Sequence, residues 1–383
     1  MREKTRALIE KLDQKHWLSD EELLTLVKAG PVGTAAAEAE ESKAEAEESK
    51  AAAALLAEKA DRLRRQIYGN QVYVRGLIEM TNYCKNDCYY CGIRAGNAKV
   101  ARYRLSEDEI VAAARQAERA RYGSVVLQSG EVASEANTAF VERVVSRLHA
   151  EFGDALGVTL CLGEQSEETY RRWRAAGAHR YLLRIESSNP ELYAKLHPAS
   201  HSWQARVDCL RTLKRLGYIT GSGVMIGVPG QTLEDLAGDI AFFAQEDLDM
   251  IGMGPFIPHP DTPLGEGLAM TPDWKRRQVE LGCRMIAVAR LALKDVNIAA
   301  TTALEALDPQ GREKGLLAGA NVMMPNVTPA KCRGDYKLYS DKPCQDESAD
   351  LVGDVLERRI RSIGEEVNWS DRGDPLHFSR RNG

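Results

Sequence analysis

The chain has 383 residues, 44% of them apolar and 28% charged, with a formal net charge of -5. That balance describes a globular protein with length for a large core, and it offers no basic field for nucleic acid or an anionic membrane. The charged start "MREKTRALIEKLDQKHWLSDEEL" has no apolar leader, and nowhere do about 18 uncharged apolar residues run together, so the expected setting is cytoplasmic. Eight cysteines in such a chain point to metal or catalytic use rather than a disulfide framework.

Residues 1–70 read as a helical extension. Within them "EAEESKA" occurs twice in succession, at residues 38–44 and 45–51. Strong helix formers with Glu-to-Lys spacings and no apolar seam predict a solvated helix. It runs on into "LLAEKADRLRRQIYGN", where Leu55, Leu56, Leu63 and Ile67 recur at helical spacing and can dock on a domain.

From residue 71 to residue 345 the period alternates. "VYVRGLIEM" reads as a strand and "SEDEIVAAARQAERARYG" as a helix, with Ser106 as N-cap and Glu109 completing a capping box. "SVVLQSGE", "VTLCLGE" and "RYLLRIESS" then each precede helical segments. "ITGSGVMIGVPG", "MIGMGPFIP", "NIAATTAL" and "ANVMMPN" complete the series. Eight strands alternating with helices predict an α/β fold of the (β/α)8 barrel type, with a doubly wound open sheet as the alternative. Residues 346–383 read as a helical tail with a frayed end, "SRRNG".

Active sites of such barrels gather where strands end. Here the strands end in "TNYC", "QSGE", "LGE", "RIES", "GVPG", "PHPDTP", "TTAL" and "MPN", polar or Gly/Pro-rich chemistry at every position. The first of these opens "TNYCKNDCYYCGIR", which spaces Cys84, Cys88 and Cys91 as C-x3-C-x2-C with no close fourth ligand. A closed structural zinc site wants four protein ligands. A [4Fe-4S] cluster held by three thiolates instead keeps one iron open to an exogenous ligand.

The spacing, with Tyr90 just before the third cysteine, resembles the radical S-adenosylmethionine enzymes. From about residue 60 to residue 345 the chain is similar to the [FeFe]-hydrogenase maturases of the HydE family, carried by "CKNDCYYCGIR", "RYRLSEDEI", "VLQSGE", "RYLLRIESSNPELYAKLHP", "GVPGQT", "MGPFIPHPDTPL", "IAATTAL" and "GANVMMPNVTP". The resemblance implies a monomeric barrel enzyme carrying a [4Fe-4S] cluster on Cys84, Cys88 and Cys91 and binding S-adenosyl-L-methionine. Reductive cleavage of that cofactor yields a 5'-deoxyadenosyl radical, used in assembling the di-iron cofactor of the hydrogenase. The implied substrate is a small organometallic, amino-acid-derived species, and the implied partners are an electron donor protein and other maturases.

The same resemblance assigns residues. Gln128, Ser129, Gly130 and Glu131 would hold the cofactor's amino group, Glu186 its amino or ribose groups, and Arg206 its carboxylate through a charged fork. "GVMIGVPG" would lie along the adenine, with Tyr90, Met253 and Tyr336 as further contacts. Arg184, Thr159 and Thr301 or Thr302 fall where the family binds small carboxylates, and Tyr339 with Tyr336 near the cofactor and radical path. Ordinary β-branched strand filling is the rival reading of the threonines.

Some positions depart from the pattern. Ile185 replaces a frequent histidine, so no role falls there. Cys161 reads as a small buried hydrophobe, or as a thiol in the cavity. Cys332 and Cys344 are too few for a second cluster, and Cys209 and Cys283 fit helix cores. His197, His201 and His259 show no metal-ligand spacing and are expected in loops or core. The rival functions are another barrel radical enzyme, methylornithine synthase or the less favoured biotin synthase, and a non-catalytic iron-sulfur scaffold.

Overall fold

The computed structural model describes residues 3–29, 43–343 and 349–382. The aliphatic run "VYVRGLIEM" forms the first strand, Gln71–Thr81, buried on both faces over most of its length as a helix-covered parallel strand must be. It pairs in parallel with Ser124–Ser129 on one side, and with Val322–Met323, the eighth strand, on the other. Around the circle follow Gly157–Cys161, Arg180–Leu182, Ile219–Ser222, Met250–Ile251 and Asn297–Ile298. A bridge between Ala299 and Val322, and the Asn321 N–H on the Ile298 carbonyl at 2.9 Å, join the seventh strand to the eighth. The barrel is closed, which excludes the open sheet. Strands five and six are interrupted and resume as a short ladder, Met225–Ile226 on Gly254–Pro255. A Cβ at Gly223 would collide with the Gly252 carbonyl, so the interruption depends on glycine.

The helices follow from their caps and stripes. Ser106 and Glu109 form the expected capping box on Glu107–Arg119, whose Ile110, Val111, Ala114 and Ala117 face the strands. Helices Glu3–Lys15, Asp20–Lys28 and Lys43–Tyr68 precede the barrel. The third carries the second "EAEESKA" copy, and it is not simply solvated. Ser49, Ala52, Leu56 and Ala60 form a buried line of mostly small residues, so the helix lies close against Pro272–Leu293. Residues 38–42 of the first copy lie outside the described residues. Fully buried Arg64 ties this helix to Glu365 at 2.7 Å.

The C-terminal segment closes the lower mouth. After helix Ala349–Ser362, strand Glu366–Asn368 adds to the first strand in parallel, and residues 369–375 run beneath the barrel into helix Leu376–Asn382. Arg180 grips Asp374 with Nε at 2.9 Å, while Arg75 and Asn297 donate to the Gly373 carbonyl at 3.0 and 2.7 Å. Gly373 has a left-handed φ of 62°, and a Cβ there would sit 2.6 Å from the Tyr73 ring. The expectation of a frayed end fails: Arg380 pairs with Asp295 at 2.9 Å, and Arg381 with Asp247 and Asp249 at 3.0 Å each. Above this floor lies a narrow cavity of about 30 Å³, lined by Arg75, Val126, Thr159, Leu182 and Asn297 among others. Among the described residues no helix is long and apolar enough to cross a membrane.

Candidate active site

The cysteine loop leaves the first strand at buried Asn82, whose amide donates to the carbonyls of Ala101 at 2.7 Å and Asp335 at 2.8 Å. One guanidinium then gathers the turn: Arg102 donates to the carbonyls of Asn82 at 2.5 Å, Ile93 at 2.8 Å and Arg94 at 2.7 Å. The loop is hung from neighbouring elements by backbone bonds, Lys85 to Glu131 at 2.8 Å, Tyr89 to Leu196 at 3.0 Å and Gly92 to Leu338 at 2.9 Å. A Cβ at Gly92 would collide with the Lys337 carbonyl, so only glycine allows this approach.

The arrangement concentrates thiols that resist ionisation. Burial pushes Cys84 up, pushes Cys88 up to about 12 and pushes Cys91 well above its ordinary value. Cys84 adds to the shift at Cys88, and Cys84 and Cys88 both add to it at Cys91, while Arg206 opposes it at Cys88. Three buried thiolates side by side need cationic centres between them. Iron supplies these, and three protein sulfurs leave one position of a four-iron cluster for an outside ligand. The donor set therefore fits a [4Fe-4S] cluster. The Glu131 N–H already points at Cys84 Sγ from 3.3 Å, the kind of amide contact that tunes cluster sulfurs.

Around the loop the strand ends present paired charges. Glu131 accepts from the Glu164 N–H at 2.7 Å and meets Lys85 at 3.0 Å. Gly163, at φ 75°, leaves room that a Cβ would take from the Glu131 carboxylate. Arg184 holds Glu186 in a two-pronged bridge, Nε to Oε1 at 3.0 Å and Nη2 to Oε2 at 2.9 Å. Glu186 itself sits at φ 65°, a conformation costing a non-glycine residue roughly 1–3 kcal/mol and typical of functional sites. Arg206, buried, binds Glu164 through Nε and the Arg184 carbonyl through Nη1 at 2.6 Å. Glu164 ends the motif "LGE" but drew no assignment from sequence; its position at a strand end was the available signal.

The remaining predicted residues fall into separate groups. The Tyr90 hydroxyl lies 3.2 Å from His197 Nε2. Gln128 donates to the Tyr336 hydroxyl at 3.3 Å, and the Ser129 hydroxyl to the Gly130 carbonyl at 2.6 Å. Tyr336 is buried beneath Lys342, whose Nζ is 5.0 Å from the ring centroid. That lysine forms a buried ion pair with Glu79, which also accepts from Asn326 Nδ2 at 3.0 Å. Sequence reasoning passed over Glu79, although an acid inside a strand buried on both faces was a visible anomaly. Met253 is fully buried and Tyr339 half-buried.

Cys161 stands between the two readings offered for it, a buried hydrophobe and a thiol in the cavity. It ends the third strand half-exposed, and its thiol is pushed up to about 11 by burial, against the pull of Arg184. Thr301 buries an Oγ1 that has no hydrogen-bond partner, in a space that a Cβ on Gly254 would fill. Thr302 instead accepts from Arg312 at 3.1 Å. Thr159 lies deeper, lining the lower cavity and touching Arg180 Nη1 at 3.4 Å rather than meeting Arg184. Cys332 is buried in the short helix Ala330–Arg333, and Cys344 lies outside the described residues.

Comparison with known proteins agrees with this geometry. Residues 78–243 match the Radical SAM superfamily. The chain is 42% identical over 320 residues to the [FeFe] hydrogenase maturase subunit HydE of Thermotoga maritima, covering 83% of this chain and 88% of that one. It is 28% identical to 3-methylornithine synthase of Methanosarcina acetivorans, over 80% of this chain and 83% of that one. The crystal structure of methylornithine synthase superposes with a TM-score of 0.75 at 25% identity, over 95% of this chain and 98% of that one. A [4Fe-4S] cluster and S-adenosyl-L-methionine are the cofactors of this superfamily, and an electron donor and a small-molecule substrate are generic to it. By its three-thiol loop, its closed barrel and this identity, the chain belongs to the HydE family of radical S-adenosylmethionine enzymes.

Proposed function

We propose that this chain acts in assembly of the di-iron cofactor of [FeFe]-hydrogenase, on a small amino-acid-derived carboxylate complex, as a monomer supplied by an electron donor and working with other maturases. The observation that carries the reading is the mouth of the barrel, where the cysteine trio faces the Arg184–Glu186 and Arg206–Glu164 pairs. When bound, the cluster and S-adenosyl-L-methionine supply reductive cleavage of a carbon–sulfur bond. Cys84, Cys88 and Cys91 hold the cluster. Carbonyls of Gln128, Ser129 and Gly130 and the carboxylates of Glu131 and Glu186 accept from an ammonium or ribose hydroxyls, and Arg206 keeps donors for a carboxylate. Tyr90, Met253 and Tyr336 pack against the cofactor. Arg184 binds the substrate carboxylate, with Thr301 offering its unpartnered hydroxyl, Thr302 and Thr159 flanking, and Tyr339 shielding the reacting centre.

Arg184 gives this reading a built-in coupling. Its guanidinium is already satisfied by Glu186. A carboxylate that takes one prong frees a Glu186 oxygen to accept elsewhere, so substrate entry and cofactor contact are linked through one side chain.

The fold similarity to methylornithine synthase supports a second reading, lysine isomerisation. Lysine also brings a distal ammonium, which needs a carboxylate of its own. Glu79, Glu131 and Glu186 each already face a cation, Lys342, Lys85 and Arg184. This favours the maturase. In an anaerobic mixture of apo-[FeFe]-hydrogenase and the other maturation proteins, adding this chain should restore hydrogen evolution, and Arg184→Ala should not. Failure of the wild type there, together with conversion of lysine to methylornithine, would overturn the maturase reading and leave the radical mechanism. A loaded protein that forms no 5'-deoxyadenosine under strong reductant would be a scaffold instead.

A further inference from the structure

The sequence "HPASH" was expected to place its histidines in loop or core, yet it spaces His197 and His201 as H-x3-H. The fold brings that pair to the cysteine loop: ligand atoms of Cys88, His197 and His201 all lie within 4.8 Å of one another. His197 is oriented as a metal ligand is. Its Nδ1 lies 2.9 Å from the Tyr193 carbonyl, and a carbonyl can only accept, so Nδ1 carries the proton and Nε2 presents its lone pair. The ring is clamped by stacking, on Tyr193 at 4.0 Å and 25° and on His201 at 5.3 Å and 17°. His201 is half-exposed, which gives an ion a way in. Among the described residues the lone pair meets the Tyr90 hydroxyl at 3.2 Å, which can rotate away.

We propose that in the cluster-free chain Cys88, His197 and His201 form a mononuclear site for a divalent ion of borderline softness, of the zinc class. One thiolate, two neutral imidazoles and a water complete a tetrahedron, with metal–sulfur and metal–nitrogen bonds of about 2.3 and 2.0–2.1 Å. The ligand atoms already lie within 4.8 Å of one another, and the half-exposed His201 ring, now stacked at 17° to His197, turns about its side-chain bonds to bring its lone pair to the same ion. Metal binding moves the Cys88 proton to solvent, and the thiolate so formed offsets one of the ion's two positive charges. The site is distinct from the cluster in ligands but shares Cys88, so the two are mutually exclusive. An ion held there takes one of three sulfurs that iron and sulfide require, and cluster assembly stops. This holds whether or not the chain serves hydrogenase maturation.

Anaerobic titration of the full-length, cluster-free chain with cobalt(II) tests it. One equivalent should bind with the visible bands of a tetrahedral ion and a sulfur-to-cobalt charge-transfer band, and zinc should displace it. His201→Ala, half-exposed and so compatible with folding, should weaken cobalt binding by more than the roughly 10- to 100-fold that loss of an outer-shell partner costs. Cys84→Ser and Cys91→Ser should bind cobalt as the wild type does, and Cys88→Ser should not. His201→Ala should also reconstitute its cluster in the presence of a zinc concentration that blocks the wild type. Cobalt binding that survives His201→Ala, or that Cys84→Ser abolishes, would overturn the proposal, because the ion would then be held by the cysteine trio.

Discussion

The two mouths of the barrel are both lined with arginines, and they use them oppositely. At the lower mouth Arg75 and Arg180 reach into the chain's own C-terminal segment, and Asp374 and the Gly373 carbonyl meet them from 2.9 and 3.0 Å. At the upper mouth the anions that meet Arg184 and Arg206 are the strand-end acids Glu186 and Glu164, around a loop of thiols that burial pushes away from ionisation. The lower charges are spent on the fold; the upper ones are held ready by partners that a ligand can displace. Identical side chains thus become floor or site according to whether the chain itself supplies the final anion.

The largest effect that sharpens this contrast is at the cysteines. Changing Cys84, Cys88 or Cys91 to Ser should abolish cluster formation and 5'-deoxyadenosine production, while the thermal midpoint of the cluster-free protein stays near that of the wild type. Arg180→Ala should do the reverse. Loss of the buried guanidinium should lower stability in chemical unfolding by about 1–3 kcal/mol, since Asp374 is 35% exposed and keeps Arg372 3.7 Å away, with cluster content per folded chain unchanged. If Arg180→Ala instead spared stability and removed activity, the lower mouth would belong to the site.

The same floor should respond to pH at both ends. Burial opposes the charge on Asp374, but His179, with Nε2 3.4 Å from the carboxylate, and the charge of Arg180 outweigh it and hold the carboxyl below its ordinary 3.8. A lowered carboxyl gives stability that is present above its unfolded value and lost as pH falls through its folded one, so this contribution fails only in acid below about pH 4. His377, bound to Asp295 and Asp247 at 3.2 and 2.7 Å, is raised above 6.5, first by the Asp295 hydrogen bond. Its contribution is full below the unfolded value and lost as pH rises through the folded one. The destabilisation caused by His377→Ala should therefore be larger at about pH 6 than at about pH 9. Equal losses at both would show that the imidazolium does not hold the floor.

Much of the fold was legible because the barrel repeats a local signal. Each strand is a short apolar run followed by polar or glycine-rich residues, and Cys84, Cys88 and Cys91 fall within one loop of eight residues. Pairings between distant positions left no such mark. Arg206 and Glu164 are separated by 42 positions, and Lys342 and Glu79 by 263. The C-terminal floor escaped for the same reason, since nothing in "SRRNG" announces that Arg381 will find Asp247 and Asp249. Small residues misled in a different way: Ser49 and Ala52 look solvated by hydropathy, but their lack of bulk lets a neighbouring helix cover them. The family resemblance groups Thr159 with Arg184, whereas depth along the barrel separates them.

A smaller effect bears on the upper mouth itself. Arg206→Ala should weaken binding of S-adenosyl-L-methionine by roughly 1.5–3 kcal/mol if its guanidinium donates to a charged group of the ligand. The change also strips Glu164 of its partner, so Glu164→Gln is the needed companion: it keeps the shape, removes the competing anion and should leave affinity equal or tighter. Loss of affinity in both would mean that the pair positions the strand end rather than meeting the ligand.

The smallest expected effect distinguishes packing from chemistry at Tyr336. Among the described residues its hydroxyl accepts from Gln128 Nε2 at 3.3 Å, while its ring lies under the Lys342 ammonium at 5.0 Å from the centroid. Tyr336→Phe removes only the hydroxyl and keeps the ring contact, so folding stability should fall by about 0.5–1.5 kcal/mol, the net worth of one neutral hydrogen bond. Lys342→Met would by contrast strand Glu79 in the barrel without its cation, a loss of about 3–5 kcal/mol. If Tyr336 acts on the cofactor only by packing, Tyr336→Phe should form 5'-deoxyadenosine at the wild-type rate. A rate loss well beyond the stability change would show that the phenol, freed from Gln128 in the loaded enzyme, donates its proton to a bound group, and would move Tyr336 from the wall of the site to its working atoms.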